Sequence, residues 1–169
     1  MNNPYCENCF QENLKRYYVD INSYITGFTD GEGCFLISFS LRQKMNLGIE
    51  VRPSFSISQH KRNKDIILFL QKYFKCGGVR FSKRDQNYKY EVRSIDDLMK
   101  IIIPHFVKFP LLTSKKDEFK RFEEICNLIY SNHHLSQEGM KKIIELSREV
   151  NASGNKKYNR DDLLKMVAR

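Results

Sequence analysis

The amino-acid sequence predicts an α+β fold in the order α-β-β-α-β-β-α, with further helices after it and an antiparallel four-stranded sheet at its centre. Three observations carry this. The hydrophobic period switches from helical to alternating at Cys34, the alternation recurs after Gly78, and helical runs lie between and beyond the two. At 169 residues with no break in composition, the chain suffices for one domain with its own core: residues 1–18 read as an N-terminal extension and 19–169 as the domain.

Taken in order, residues 1–18 are polar and mixed in charge, with Gln11 to Tyr18 the part open to a helix. A helix over about 20–30 follows, with Ile21, Tyr24, Ile25 and Phe28 at helical spacing and Asp20 or Asn22 as its cap. It ends in Asp30-Gly31-Glu32-Gly33. From Cys34 to Leu41, Phe35, Ile37, Phe39 and Leu41 face a core while Leu36, Ser38, Ser40 and Arg42 face away. After a turn over Gln43 to Leu47, the second strand sets Ile49, Val51, Pro53, Phe55 and Ile57 against Glu50, Arg52, Ser54, Ser56 and Ser58. Gln59 closes it and opens a basic run, His60, Lys61, Arg62 and Lys64.

A helix to Lys75 then buries Ile66, Ile67, Phe69, Leu70, Tyr73 and Phe74, and Cys76-Gly77-Gly78 stops it. The next hairpin pairs Val79 to Lys83 with Tyr88 to Arg93 around Asp85-Gln86-Asn87. Arg80, Ser82 and Arg84 share its polar face with Lys89, Glu91 and Arg93. Ser94 with Asp97 starts a helix that Pro104 stops, and His105 to Ser114 reads as a loop. Ser114 with Asp117 opens a helix whose core face is Phe119, Phe122, Ile125, Cys126 and Ile129. Leu135-Ser136 with Met140 starts another, burying Met140, Ile143, Ile144 and Val150, and a short helix spans about Arg160 to Val167.

A net charge of +9 points to a polyanionic partner, nucleic acid first, because basic side chains displace condensed counterions from phosphates. A membrane surface is the rival, but no basic amphipathic helix, membrane-spanning run or secretory signal stands out. The five cysteines, Cys6, Cys9, Cys34, Cys76 and Cys126, are an odd, scattered set that suits a reducing compartment. Cys6 and Cys9 are half of a zinc-site pattern with no second pair, which favours a frayed terminal segment.

Two carboxylates at the negative end of a helix dipole call for an offsetting charge, and a divalent cation is the usual one. Gly27 and Gly31, one turn apart, leave a flat strip where a second helix can pack closely. Taken whole, Tyr24-Ile25-Thr26-Gly27-Phe28-Thr29-Asp30-Gly31-Glu32-Gly33 resembles the LAGLIDADG motif of homing endonucleases. It departs from the commonest Leu-Ala start only at packing positions. The resemblance covers about residues 20–150; its specific part is the motif, the rest being order and spacing.

The resemblance implies a sheet shaped as a DNA-binding saddle and a site-specific double-strand endonuclease. One motif copy implies a homodimer joined through Tyr24, Gly27, Phe28 and Gly31, with two Glu32 side chains near the two-fold axis. Paired acids imply Mg²⁺, or Mn²⁺, with the Gly31 carbonyl as a further ligand and one phosphodiester hydrolysed on each strand. By position, Gln59 matches the polar residue that orders water near the scissile phosphate. Lys115 or Lys116 matches the catalytic lysine, and Arg62 or Lys64 supplies further charge where Asn63 stands. Ser38, Ser40, Arg42, Arg52, Ser54, Ser56, Arg80, Ser82, Arg84, Lys89 and Arg93 would line the major groove of a long, pseudo-palindromic target. The alternatives are a maturase binding intron RNA on the same fold, a DNA-binding regulator that does not cleave, and an unrelated basic module. Richness in Lys, Asn and Ile is compatible with an A+T-rich gene of a chloroplast or mitochondrion.

Overall fold

Alternation of apolar and polar residues puts one face of each strand in the core, and the computed structural model, which describes residues 7–152, 154 and 157–168, folds these strands into one sheet. Strand β1, Gly33–Leu41, pairs antiparallel with β2, Ile49–His60, from Gly33↔Ile57 to Leu41↔Ile49. The second hairpin, β3 (Gly78–Ser82) and β4 (Asn87–Val92), joins through β4, which pairs with β2 from Phe55↔Val92 to His60↔Asn87. The order is therefore β1-β2-β4-β3.

The described helices are α1 (Glu7–Arg16), α2 (Ile21–Glu32), α3 (Lys64–Phe74), α4 (Ile95–Asp97), α5 (Ile103–Lys108), α6 (Lys115–Tyr130), α7 (Gln137–Leu146) and α8 (Arg160–Val167). Their apolar sides cover the apolar face of the sheet. Phe35 sits at the centre, its ring 5.1–5.6 Å from those of Phe55, Phe106, Phe119 and Phe122. Truncating such a residue costs about 3–5 kcal/mol. Helix α1 packs on the rest of the fold: Phe10 lies edge-on against Phe69 of α3 at 5.3 Å, and Leu14 is buried.

Helix α2 begins as its residues dictate. The Asp20 carboxylate accepts from the backbone N–H groups of Asn22 and Ser23, satisfying donors that a helix start leaves free. Ile25 and Thr29 are fully buried, and the buried Thr26 hydroxyl donates to the Phe109 carbonyl at 3.1 Å. At the far end, a side chain on Gly33 would come within 2.7 Å of the Thr29 carbonyl, so only glycine lets the chain turn from helix into β1 here.

The structure corrects several expectations. Leu41 is 46% exposed, because it is the last rung before the hairpin turn. Pro104 does not end its helix. A π turn over Leu98–Ile102 and α5 carry the helical path to Lys108, and the Ile103 N–H reaches back to the Leu98 carbonyl. The wider π register absorbs the donor that proline lacks. His105 to Ser114 is accordingly helical at its start, with His105 and Phe106 buried in the core, and the loop proper is 109–114. Finally, Ser114 does not cap α6 with its side chain; the Thr113 hydroxyl accepts from the Lys115 N–H instead, at 3.3 Å. Helix α3 ends at Phe74 with Lys75 left-handed, ahead of the glycines. The Cys6–Cys9 pattern lies outside the described residues at Cys6; Cys34, Cys76 and Cys126 are free thiols.

Candidate active site and nucleic-acid interface

The two acids of the motif have different surroundings. Asp30 is engaged: its carboxylate accepts from the Leu112 N–H at 2.8 Å, the Thr113 hydroxyl at 2.8 Å and the Thr113 N–H at 3.4 Å. Glu32, the last residue of α2, is exposed and makes no hydrogen bond or ion pair with another described residue. Of the two, Glu32 is the carboxylate free to meet a ligand. It stands in the last helical turn, where carbonyls such as that of Gly31 lack an intrahelical donor.

Lys115 comes to the same place from 82 residues away: its Nζ donates to the Gly33 carbonyl at 2.7 Å. Lys116, one position on and about 100° round the helix, is exposed and turned elsewhere. The geometry thus separates two lysines that spacing left equivalent. Gln59 lies two residues beyond the Gly33↔Ile57 pair, about 7 Å further along β2. Its side-chain carbonyl accepts from the Asn63 amide at 3.1 Å, so Asn63 orients the glutamine. Arg62 is exposed in a 3₁₀ turn over Lys61–Asn63, beside the same strand end.

Among the described residues no helix covers the polar face of the sheet. Arg42, Arg52, Arg80, Lys89 and Arg93 stand on it, with Ser38 donating to the Arg52 carbonyl and Ser40 half-exposed nearby. Ser54 and Ser56 share this face but are each only 6% exposed, so they form its floor beneath longer neighbours. Ser82 and Arg84 both bond Asp85 at the hairpin tip. Ser58, Arg80, Ser82 and Lys89 line a groove of about 410 Å³.

The ion pairs of two acids on this face are findings of the structure. Glu50 ties Arg42 at 2.6 Å and Arg52 at 2.7 Å; Glu91 ties Lys89 at 2.7 Å and Arg93 at 2.9 Å. The Arg52 hydrogen bond holds the Glu50 carboxyl below its usual range. Burial alone would raise Glu91, but Lys89 and Arg93 outweigh it and lower it. The legible signal was an acid with cations two residues away on the same strand face. Asp30 and Thr113 had no such signal.

Cys34 follows the motif on this face, half-buried; burial raises its thiol pKa, and nearby Lys89 and Lys115 oppose the rise. Among the described residues no cluster of three or more His, Cys, Asp or Glu could hold a metal. The chain offers hard oxygen donors, the Glu32 carboxylate and helix-end carbonyls, which fit Mg²⁺ or Mn²⁺ in kind but supply only part of a coordination sphere. On the outer side of α2, a side chain at Gly27 or Gly31 would meet no atom within 4 Å. Tyr24 and Phe28 stack nearby with centroids 6.2 Å apart. No described helix is long and apolar enough to cross a membrane.

Comparison with known proteins agrees with this geometry. The family model described as LAGLIDADG endonuclease matches residues 25–126. Probable intron-encoded endonuclease 2 of Neurospora crassa is 33% identical over 130 residues, which are 76% of this chain and 29% of that protein. The chain therefore spans under a third of the fungal relative. The homing endonuclease I-TnaI is 35% identical, with 87% of this chain and 95% of that one superposed at a TM-score of 0.75. The archaeal intron-encoded homing endonuclease I-Vdi141I, solved in complex with DNA, is 26% identical over 87% and 94% of the two chains, with a TM-score of 0.80. With the motif on α2, the four-stranded sheet and a family match across more than half its length, the chain belongs to the LAGLIDADG endonuclease family.

Proposed function

We propose that the protein is a homing endonuclease that hydrolyses one phosphodiester on each strand of a long, pseudo-palindromic DNA target, acting as a homodimer with Mg²⁺ or Mn²⁺. The observation that carries this is the exposed Glu32 carboxylate, without a partner among the described residues, next to Gly33, whose carbonyl Lys115 reaches, at the end of a basic sheet face. The DNA complex of I-Vdi141I and the endonuclease named in Neurospora support a DNA substrate and cleavage over the maturase reading. The intron-encoded relatives also support an intron-borne gene, and we place it in an organelle.

Dimerisation is supported by the glycine strip. No described residue fills the space at Gly27 and Gly31, yet glycine in a helix interior costs roughly 0.5–1 kcal/mol against alanine. A second α2 packed at short range accounts for both glycines and brings a second Glu32 to the first. The near full-length match to the I-TnaI and I-Vdi141I chains fits one motif per protomer.

In this arrangement Glu32, with the Gly31 carbonyl, would hold the divalent cation, which would supply activation of water and stabilisation of the departing 3′ oxygen. Gln59 orients water at the edge of the site, its rotamer fixed by Asn63. Lys115 presents an ammonium close to the scissile phosphate, where positive charge stabilises the developing negative charge. The sheet face holds the duplex by phosphate contacts and reads base edges in the major groove.

The test is incubation of wild type and Glu32→Gln with a library of long DNA targets in Mg²⁺ and in Ca²⁺. We expect cleavage by wild type in Mg²⁺, and binding without cleavage by the variant. Equal cleavage by both proteins would remove Glu32 from the metal site. Tight intron-RNA binding without any DNA cleavage would favour the maturase instead.

A further inference from the structure

We infer that Asp30 is a positioning residue for Lys115, acting through Thr113; the inference rests on the cleavage reading above. The motif's first acid does not face an open site. All three of its hydrogen bonds go to the segment that starts α6: the Leu112 N–H, the Thr113 N–H and the Thr113 hydroxyl. That hydroxyl, while donating to Asp30, accepts from the Lys115 N–H at 3.3 Å. Lys115 then returns its ammonium to the Gly33 carbonyl, three residues beyond Asp30. The contacts form a closed circuit from α2 to the 109–114 loop, to the first turn of α6 and back to the α2–β1 junction.

The physical consequence is a division of labour between the two acids. A lysine side chain has four rotatable bonds, so its ammonium is placed only as well as its backbone. The backbone of Lys115 opens a helix whose own preceding serine makes no side-chain cap. Its register against the motif helix is therefore set by Asp30 and Thr113. Ionised Asp30 accepts from three donors, and charge-assisted bonds of this kind are the stronger ones. An asparagine there offers a single carbonyl oxygen and presents two N–H donors to neighbours that are themselves donors.

The experiment measures single-turnover cleavage, DNA affinity in Ca²⁺ and metal-concentration dependence for Asp30→Asn, Thr113→Val, Thr113→Ser and Lys115→Ala, with Asp30→Asn/Lys115→Ala as the double variant. Wild-type cleavage on the same target shows whether the cleavage reading holds at all. Given that, Asp30→Asn and Thr113→Val should each slow cleavage roughly 10- to 100-fold, the range for small misplacement of a catalytic group. DNA affinity should stay at the wild-type value and Thr113→Ser should restore the rate. The double variant should be no slower than Lys115→Ala, since residues acting as one unit are non-additive. A double variant slowed by the product of the single effects overturns the inference, as does wild-type cleavage by both Asp30→Asn and Thr113→Val. A raised metal requirement in Asp30→Asn, with Thr113→Val unaffected, would make Asp30 a metal ligand and also overturn it. If Asp30→Asn does not fold, the Thr113 pair decides alone.

Discussion

Gly27→Ala separates the stability of the protomer from that of the proposed dimer, because the two should respond in opposite directions. In the protomer an added methyl at residue 27 meets no atom within 4 Å. Replacing glycine by alanine in the middle of α2 should therefore stabilise the monomer by roughly 0.5–1 kcal/mol. In a two-fold pair the same change places two methyl groups at the seam where the helices come closest. Overpacking costs about 1–3 kcal/mol per site, hence about 2–6 kcal/mol per dimer. That is roughly a 30-fold to more than 10⁴-fold weaker association. Sedimentation across a protein concentration series reads the dimer constant, and thermal melts at the lowest concentration read the protomer. Weaker association with a raised protomer melting temperature is the expected pair of results. A variant that associates like wild type while melting higher, or a wild type that stays monomeric on DNA, would refute the reasoning.

Lys115→Ala should slow cleavage by roughly 10²- to 10³-fold, as for loss of one preorganised positive or hydrogen-bonding group, with Lys116→Ala near wild type; single-turnover rates on one target decide it. Glu50→Gln releases Arg42 and Arg52 from their shared carboxylate, so affinity for random duplex should rise and its salt slope steepen by about one unit for each further phosphate neutralised. Filter binding between low and moderate salt measures this, with Glu124→Gln on the helical side as the control that should do less. His105 is 7% exposed, Tyr73 donates to Asn22, and burial lowers the imidazole pKa to about 4 from the usual 6.5. Because the unfolded chain takes up this proton first, stability is whole above pH 6.5 and declines as pH falls toward 4. Melting temperatures across that window should fall less in His105→Gln than in wild type.

The hydrophobic period of the chain determined the sheet, the helix order and most core residues, since which residues share one strand face or one helix stripe follows from local spacing. Leu41 escaped that rule because exposure at the end of a ladder depends on where the covering helices stop. Pro104 escaped it because a π turn upstream rearranged the donors that proline would have broken. At the site, the acidic glycine-flanked end of α2 was legible as a motif, and with it Glu32. What only the tertiary structure decided is where each acid and lysine stands and what it touches. Asp30 and Glu32 are chemically alike and two residues apart, but one faces the 109–114 loop and the other solvent. Lys115 and Lys116 are identical in type, yet only Lys115 reaches the Gly33 carbonyl. Those choices rest on contacts more than 80 residues apart in sequence, and no local pattern encodes which side of a helix a distant loop will meet.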